Sequence, residues 1–153
     1  MSTSQAGNWL PWAAPALTIV GWAIVSWQAN RREIRKEQRT VADAAKKLVV
    51  DCASEAIACM CAEERDEGAE GKIKSLLDLL ELELGRIPGY KVDLLLVGAM
   101  AAFADSCTGG DFESAARSQR SRRDPDVLQV GSSRNALLVK LEESFTRRYS
   151  SHS

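Results

Sequence analysis

Histidine is nearly absent from this chain of 153 residues, and its single histidine, His152, precedes only the final residue. Serine and cysteine nucleophiles are usually activated by a positioned histidine base, and a histidine in a Ser-rich terminal tail is not positioned. Glycine-rich phosphate loops, His-Glu-x-x-His helices and EF-hand loops are missing as well. The sequence therefore predicts a protein that is not an enzyme and that uses no cofactor and no metal.

Charge is missing from the first thirty residues, although the chain has 20 basic and 21 acidic residues. Residues 9–27 form an uncharged apolar run, which at about 1.5 Å per residue extends roughly 28 Å, close to the thickness of a bilayer core. Five bases follow within nine residues and are called here the basic collar: Arg31, Arg32, Arg35, Lys36 and Arg39. Bases beside a span mark its cytoplasmic end. We therefore expect a single-pass, inner-membrane protein with its N-terminus outside and its C-terminus inside.

The four tryptophans all lie in this apolar segment. Trp9 and Trp12 mark one end and Trp27 the other, as is typical of rings at the two membrane interfaces. A cleaved signal peptide is disfavoured because the bases follow the apolar core. An interfacial helix would carry bases along one face, and this segment has none. A buried core helix stays open as an alternative, because Ala, Gly, Ser and Thr dilute the hydrophobicity of the segment.

Glycine and proline are absent between Gly21 and Gly68, so one helix is expected to run from the membrane to about Arg65. Helical stripes of apolar residues predict further helices over residues 73–87 and 137–149, with Leu80 in the core. Residues 92–104 are apolar nearly all round and predict a central buried helix that contains Leu95. Glu70 is expected on the solvent side. Gly131–Ser133 is expected to end a short helical turn before the last helix begins. A short strand over residues 126–130 is the alternative.

The predicted fold is therefore all-α: one N-terminal transmembrane helix that continues into a small cytosolic bundle of about four helices. The expected divisions are an extracytoplasmic tail (1–8), the transmembrane helix (9–30), the basic collar (31–39), the cytosolic bundle (40–149) and a disordered tail (150–153).

The four cysteines, Cys52, Cys59, Cys61 and Cys107, lack the paired spacing of a zinc site. Thiols in a cytosolic domain also stay reduced. Small core residues are the favoured interpretation, and a regulatory thiol is the next.

Four arginines, Arg117, Arg120, Arg122 and Arg123, form a second basic group and are candidates for contact with lipid phosphate. Aromatic residues, apart from Phe112, do not interleave with this group, so a stacking platform for single-stranded nucleic acid is not indicated. No nucleic-acid partner is expected.

Two functions from different classes fit this pattern. The first is a non-enzymatic, membrane-anchored helical module that binds a protein partner. The second is a membrane effector or channel-type subunit, similar in layout to toxin and defence proteins, that oligomerises and perturbs the bilayer when its cytosolic bundle is triggered. Ala14, Thr18 and Gly21 share a helix face that permits close approach, so a weak homo-oligomer driven by the apolar segment is expected.

Overall fold

The structure is a computed structural model that describes residues 10–110, 112–114 and 118–150; the side chains of residues 10–14, 16 and 150 lie outside that description. Within these ranges the chain is helical and has no strand. Four α-helices occur: α1 (Leu10–Cys61), α2 (Glu67–Gly85), α3 (Leu94–Thr108) and α4 (Pro125–Ser150), with a 3₁₀ turn at Tyr90–Val92. The all-α helical bundle expected from the sequence is confirmed. The chain divides into two compact units, with the boundary after Glu37.

The second unit, from Gln38 onward, contains the core of the protein. α1 contributes a stripe of small and medium-sized side chains, among them Ala45, Val49, Cys52 and Ala56, each fully buried. This stripe follows the predicted helical spacing. α2, α3 and α4 add the larger buried residues, which are Ile73, Leu80, Leu84, Leu96, Phe103, Val130, Leu137 and Leu141. Small residues on α1 allow these bulkier neighbours to pack closely against its backbone.

The start of α2 is fixed by local polar contacts. Oδ1 of Asp66 accepts hydrogen bonds from the backbone N–H groups of Gly68 (2.8 Å) and Ala69 (3.0 Å), which caps the helix. Glu70, in the first turn, is only 3% exposed in its side chain and accepts hydrogen bonds from Arg65 at 2.9–3.1 Å. The expectation that Glu70 faces solvent is wrong, because the Arg65 guanidinium, five residues earlier in the chain, pairs with its carboxylate at the start of α2.

The end of α2 leads into a tight turn that requires glycine. Gly89 has a φ of +71°, and an added Cβ would lie 3.1 Å from the Arg148 guanidinium. Asp93 then caps α3: its Oδ1 accepts from the backbone N–H of Leu96 at 3.3 Å, and its Oδ2 accepts from the Ser144 hydroxyl at 2.9 Å. One carboxylate thus starts α3 and joins it to α4.

Helix α4 is longer than the sequence suggested. It begins at Pro125, and the side chain of Asp124 accepts from the backbone N–H of Asp126 at 3.0 Å. The helix continues through Gly131, so the expected interruption at residues 131–133 is wrong and residues 126–130 are helical. Burial of Val127, Val130 and Leu137 along one face outweighs the cost of about 1 kcal/mol for a glycine inside a helix.

Two further expectations for residues 9–30 and 92–104 do not agree with the structure. Among the described residues, no helix has a stretch that is both long and apolar enough to cross a membrane. The transmembrane helix expected over residues 9–30 therefore has no support here, and Trp9 and the side chain of Trp12 lie outside the described part. Helix α3 is not buried all round either: Leu95 is 59% exposed, so its placement in the core is wrong.

Candidate functional site

The first unit presents an unpaired apolar surface. Every large apolar side chain from Leu17 to Trp27 is more than half exposed, with Trp22 at 73% and Leu17 at 71%. These residues are Leu17, Ile19, Val20, Trp22, Ile24, Val25 and Trp27. Scattered single apolar residues are normal on protein surfaces, but a contiguous group of this size marks a surface that contacts lipid or protein.

Bases follow this apolar surface directly along α1. Arg31, Arg32, Arg35 and Lys36 are all exposed. The Arg31 guanidinium lies 3.7 Å from the centroid of the Trp27 ring, which places a cation over the last apolar side chain of the segment. An aromatic ring stacked beneath an arginine is an arrangement that suits the boundary between an apolar phase and an anionic headgroup layer.

Arg39, the fifth member of the basic collar, lies in the second unit and has a different role. Its Nη1 lies 2.9 Å from Glu142 Oε1, its Nε lies 3.3 Å from Asp43, and its guanidinium lies 5.1 Å from the Phe145 ring. Lys46 pairs with the same Glu142 carboxylate. Hydrogen bonds from Lys46 and Arg39 hold the pKa of Glu142 below its ordinary value. This network joins α1 to α4.

The second basic group is divided by the structure. Arg117 lies outside the described residues. Arg120 is only 13% exposed in its side chain: it pairs with Asp126 at 2.6 Å, and its backbone N–H donates to the Met60 carbonyl at 3.0 Å. Arg120 therefore holds the chain against the end of α1.

Arg122 and Arg123 are exposed. Arg122 lines a groove of about 460 Å³ between α1 and α4 together with Arg134, and the groove floor includes Ile57 and Leu128. Of the three predicted phosphate-contact residues that the structure describes, these two are exposed to solvent.

A polar cavity of about 370 Å³ lies where α3 ends and α4 begins. Its lining includes Asp105, Arg120, Asp126 and Gln129. Ser106, also on the lining, shares a 2.6 Å hydrogen bond with Ser133, and each hydroxyl contacts a carbonyl of its own helix.

Three cysteines, Cys52, Cys59 and Cys107, are buried, and Cys61 is partly exposed. The hydrogen bond that Cys107 makes with the Cys52 thiol, together with burial, raises the pKa of Cys107, so this thiol stays protonated. Among the described residues, no group of three His, Cys, Asp or Glu side chains has an arrangement that would hold a metal ion. The buried thiols act as small packing residues.

The sequence did not predict one exposed apolar surface, which lies on α3. When a helix is apolar on all sides, its sequence does not indicate which side faces solvent. Val92 (81%), in the 3₁₀ turn before α3, and Leu94 (79%) and Leu95 (59%), in the first turn of α3, are largely exposed. Gly98, Ala101 and Ala102 are exposed on the same helix face. This set of six residues is called here the α3 face. It is an apolar surface of the second unit that the described residues leave uncovered.

Comparison with known proteins gives no relative: no family model, no curated protein sequence and no solved structure matches the chain. Any functional assignment therefore depends on the surfaces described above.

Proposed function

We propose that the protein is a non-enzymatic helical module that attaches to an anionic lipid bilayer through its first unit and binds protein through its second. The exposed apolar segment Leu17–Trp27, followed directly by exposed bases, is the observation that carries the proposal. Burial of such side chains in lipid contributes about 25 cal/mol per Å² of apolar surface. Each base near an anionic surface contributes about 1 kcal/mol more.

A single-pass arrangement in the inner membrane, with the C-terminal unit in the cytoplasm, is the specific form of attachment that we propose. The asymmetric bases support it, since Lys and Arg near the end of an apolar segment set its orientation. A reporter fused after Ser153 is expected to be cytoplasmic. Replacement of the four exposed bases, Arg31, Arg32, Arg35 and Lys36, with glutamine is expected to give mixed orientation.

Vesicle flotation tests attachment directly. The full chain is expected to float with vesicles that contain anionic phosphatidylglycerol, and to float less with purely zwitterionic vesicles. Substitution of Leu17, Val20 and Ile24 by serine is expected to abolish flotation in both cases. Substitution of Arg31, Arg32 and Arg35 by glutamine is expected to remove the preference for anionic lipid.

A charge-matched control is available in the second unit, where Lys47, Lys72 and Lys74 are exposed. Their replacement with glutamine removes the same charge and is expected to leave flotation unchanged. Equal losses in the two triple variants would show that net charge, rather than the collar, causes binding. Extraction by alkaline carbonate then distinguishes insertion from adsorption: a protein that enters the bilayer stays in the membrane pellet.

The proposal of a binding module, rather than an enzyme, is supported by the polar cavity. The hydroxyl of Ser106, on its lining, shares a hydrogen bond with the buried Ser133 hydroxyl and contacts the Phe103 carbonyl. Its carboxylates share the cavity with Arg120, which pairs with one of them. Residues arranged in this way stabilise the junction of α3 and α4 and leave recognition to the outer surfaces.

A further inference from the structure

The α3 face is complementary to itself. Along α3, the large residues of this face, Leu94 and Leu95, precede Gly98, and its small residues, Ala101 and Ala102, follow it. If two α3 helices cross antiparallel with Gly98 at the centre, position 94 meets position 102 and position 95 meets position 101. Each leucine then lies against an alanine of the other copy. Large side chains opposite small ones pack without voids.

Two opposite charges lie at the two ends of this face. Lys91 lies in the 3₁₀ turn just before α3, and Asp105 lies on α3, seven residues after Gly98 and about 10 Å along the helix. Both residues are exposed. Within the described ranges neither has an ion-pair partner in its own chain. An antiparallel arrangement would bring Lys91 of each copy towards Asp105 of the other. Because the contact is two-fold, this ion pair would form twice in the dimer.

Gly98 itself permits the close approach that this arrangement needs. An added Cβ at this position would meet no atom within 4 Å in the single chain, so its own fold does not require glycine there. Glycine in the middle of an exposed helix lowers helix stability relative to alanine. A second helix backbone passing over the position is a physical reason to keep glycine there, because small residues allow helix axes to come close.

We propose that a second copy of this chain covers the α3 face, in an antiparallel two-fold contact centred on Gly98. The contact lies in the second unit and does not depend on lipid attachment. It differs from the self-association through the apolar N-terminal segment that the sequence predicts, and it leaves that segment available to lipid. An anionic membrane is the competing occupant, because Arg147 and Arg148 also border this region, and the experiments below separate the two.

Directed crosslinking of the full chain is the first test. In a background with Cys61→Ser, which removes the partly exposed thiol, Gly98→Cys is expected to give a disulfide-linked dimer under mild oxidation by copper phenanthroline. Two cysteines on the two-fold axis fall within the Cα separation of about 4.4–6.8 Å that a disulfide needs. Gly71→Cys is the matched control, since Gly71 is also exposed inside a helix with open space around it. Equal crosslinking of both variants would overturn the proposal.

Sedimentation of the full chain in mild detergent is the second test. Gly98→Ala is expected to weaken dimerisation by about tenfold or more, equivalent to about 1.4 kcal/mol. Gly71→Ala is expected to leave it unchanged. At a protein concentration too low for dimerisation, both substitutions are expected to raise the unfolding midpoint, because alanine is the better helix former; a weaker dimer in Gly98→Ala then does not come from misfolding. An unchanged dimer in Gly98→Ala would refute the close approach.

Charge exchange distinguishes the second copy from a membrane. Lys91→Glu and Asp105→Lys are each expected to weaken the dimer, and the double variant is expected to restore it. A membrane-binding face would behave differently: Asp105→Lys would strengthen vesicle binding and the double variant would restore no dimer. That second pattern would reject self-association and assign the α3 face to lipid.

Discussion

The two glutamates that contact Arg65 provide the sharpest test of the fold. Both lie in the first turn of α2, so the helix dipole acts on both. They differ in burial: the side chain of Glu70 is 3% exposed and that of Glu67 is 82% exposed. They also differ in geometry, because Glu70 accepts hydrogen bonds at 2.9–3.1 Å whereas Glu67 lies 3.6 Å from the same guanidinium.

Glu70→Ala is expected to lower the free energy of unfolding by about 2–3 kcal/mol. Hydrogen bonds to charged groups contribute about 1.5–3 kcal/mol. Breaking a fully buried ion pair typically costs about 3–5 kcal/mol. The loss expected here does not exceed the lower end of that range, because the Arg65 side chain is 29% exposed and regains contact with water when Glu70 is removed. Glu67→Ala removes only an exposed contact and a dipole interaction, together about 0.5 kcal/mol.

Urea denaturation followed by circular dichroism measures both values on the full chain in the same detergent. Glu70→Gln provides a third point, since it keeps the shape and one acceptor oxygen but loses the charge, and we expect an intermediate loss. Equal losses for Glu70→Ala and Glu67→Ala would refute the reasoning, because burial would then not determine what these contacts contribute.

Three further predictions use other parts of the bundle. For the monomer, Leu80→Ala is expected to cost about 2–5 kcal/mol, whereas Leu95→Ala is expected to cost less than about 1 kcal/mol, since burying a whole leucine contributes about 1.5–3 kcal/mol and Leu95 is 59% exposed in the single chain. Equal losses in urea melts at a protein concentration too low for dimerisation would contradict the placement of α3. Asp93 and Glu142 both have pKa values below their ordinary values. Burial acts to raise the pKa of Asp93, but hydrogen bonds from the Ser144 hydroxyl and the Leu96 backbone N–H outweigh it. Hydrogen bonds from Lys46 and Arg39 lower the pKa of Glu142. Their contribution to stability is therefore complete above about pH 5 and is lost as the pH falls through the folded-state values. Glu142→Gln is expected to make this decline at acid pH shallower in melts at graded pH. One thiol, that of Cys61, is expected to react with a water-soluble thiol reagent in the folded protein, and Cys61→Ser to remove the rapid phase; a rapid phase that persists would show that a buried thiol is accessible.

Helical periodicity was sufficient to predict the bundle, because its stripes alternate with charged faces. The Ala and Cys stripe of α1 and the leucines of α2 are buried where the spacing predicts. The sequence placed Leu95 in the core for a specific reason. Residues 92–104 have almost no polar side, so their periodicity does not indicate which face of the helix is exposed to solvent. Contacts with α4, distant in sequence, decide that.

Glu70 and Gly131 show two other limits of sequence reasoning. The burial of Glu70 depends on where the Arg65 side chain lies, and helix spacing carries no information about a residue outside the helix. Gly131 is unfavourable locally, and tertiary packing of α4 outweighs that preference. The α3 face and the role of Arg39 in the bundle are likewise properties of neighbours that only the folded chain brings together.

The end of α1 is completed by a segment that the ribosome makes much later. The carbonyl of Met60 accepts from the backbone N–H of Arg120, and that of Cys61 accepts from the Gln119 side chain at 3.1 Å. Terminal helix carbonyls otherwise rely on water. Synthesis proceeds at about 5–20 residues per second. Residues 119 and 120 are therefore made several seconds after these two carbonyls, which lack their protein hydrogen-bond donors until then. The apolar N-terminal segment has left the ribosome by then, so an early encounter with lipid or a chaperone precedes completion of the bundle.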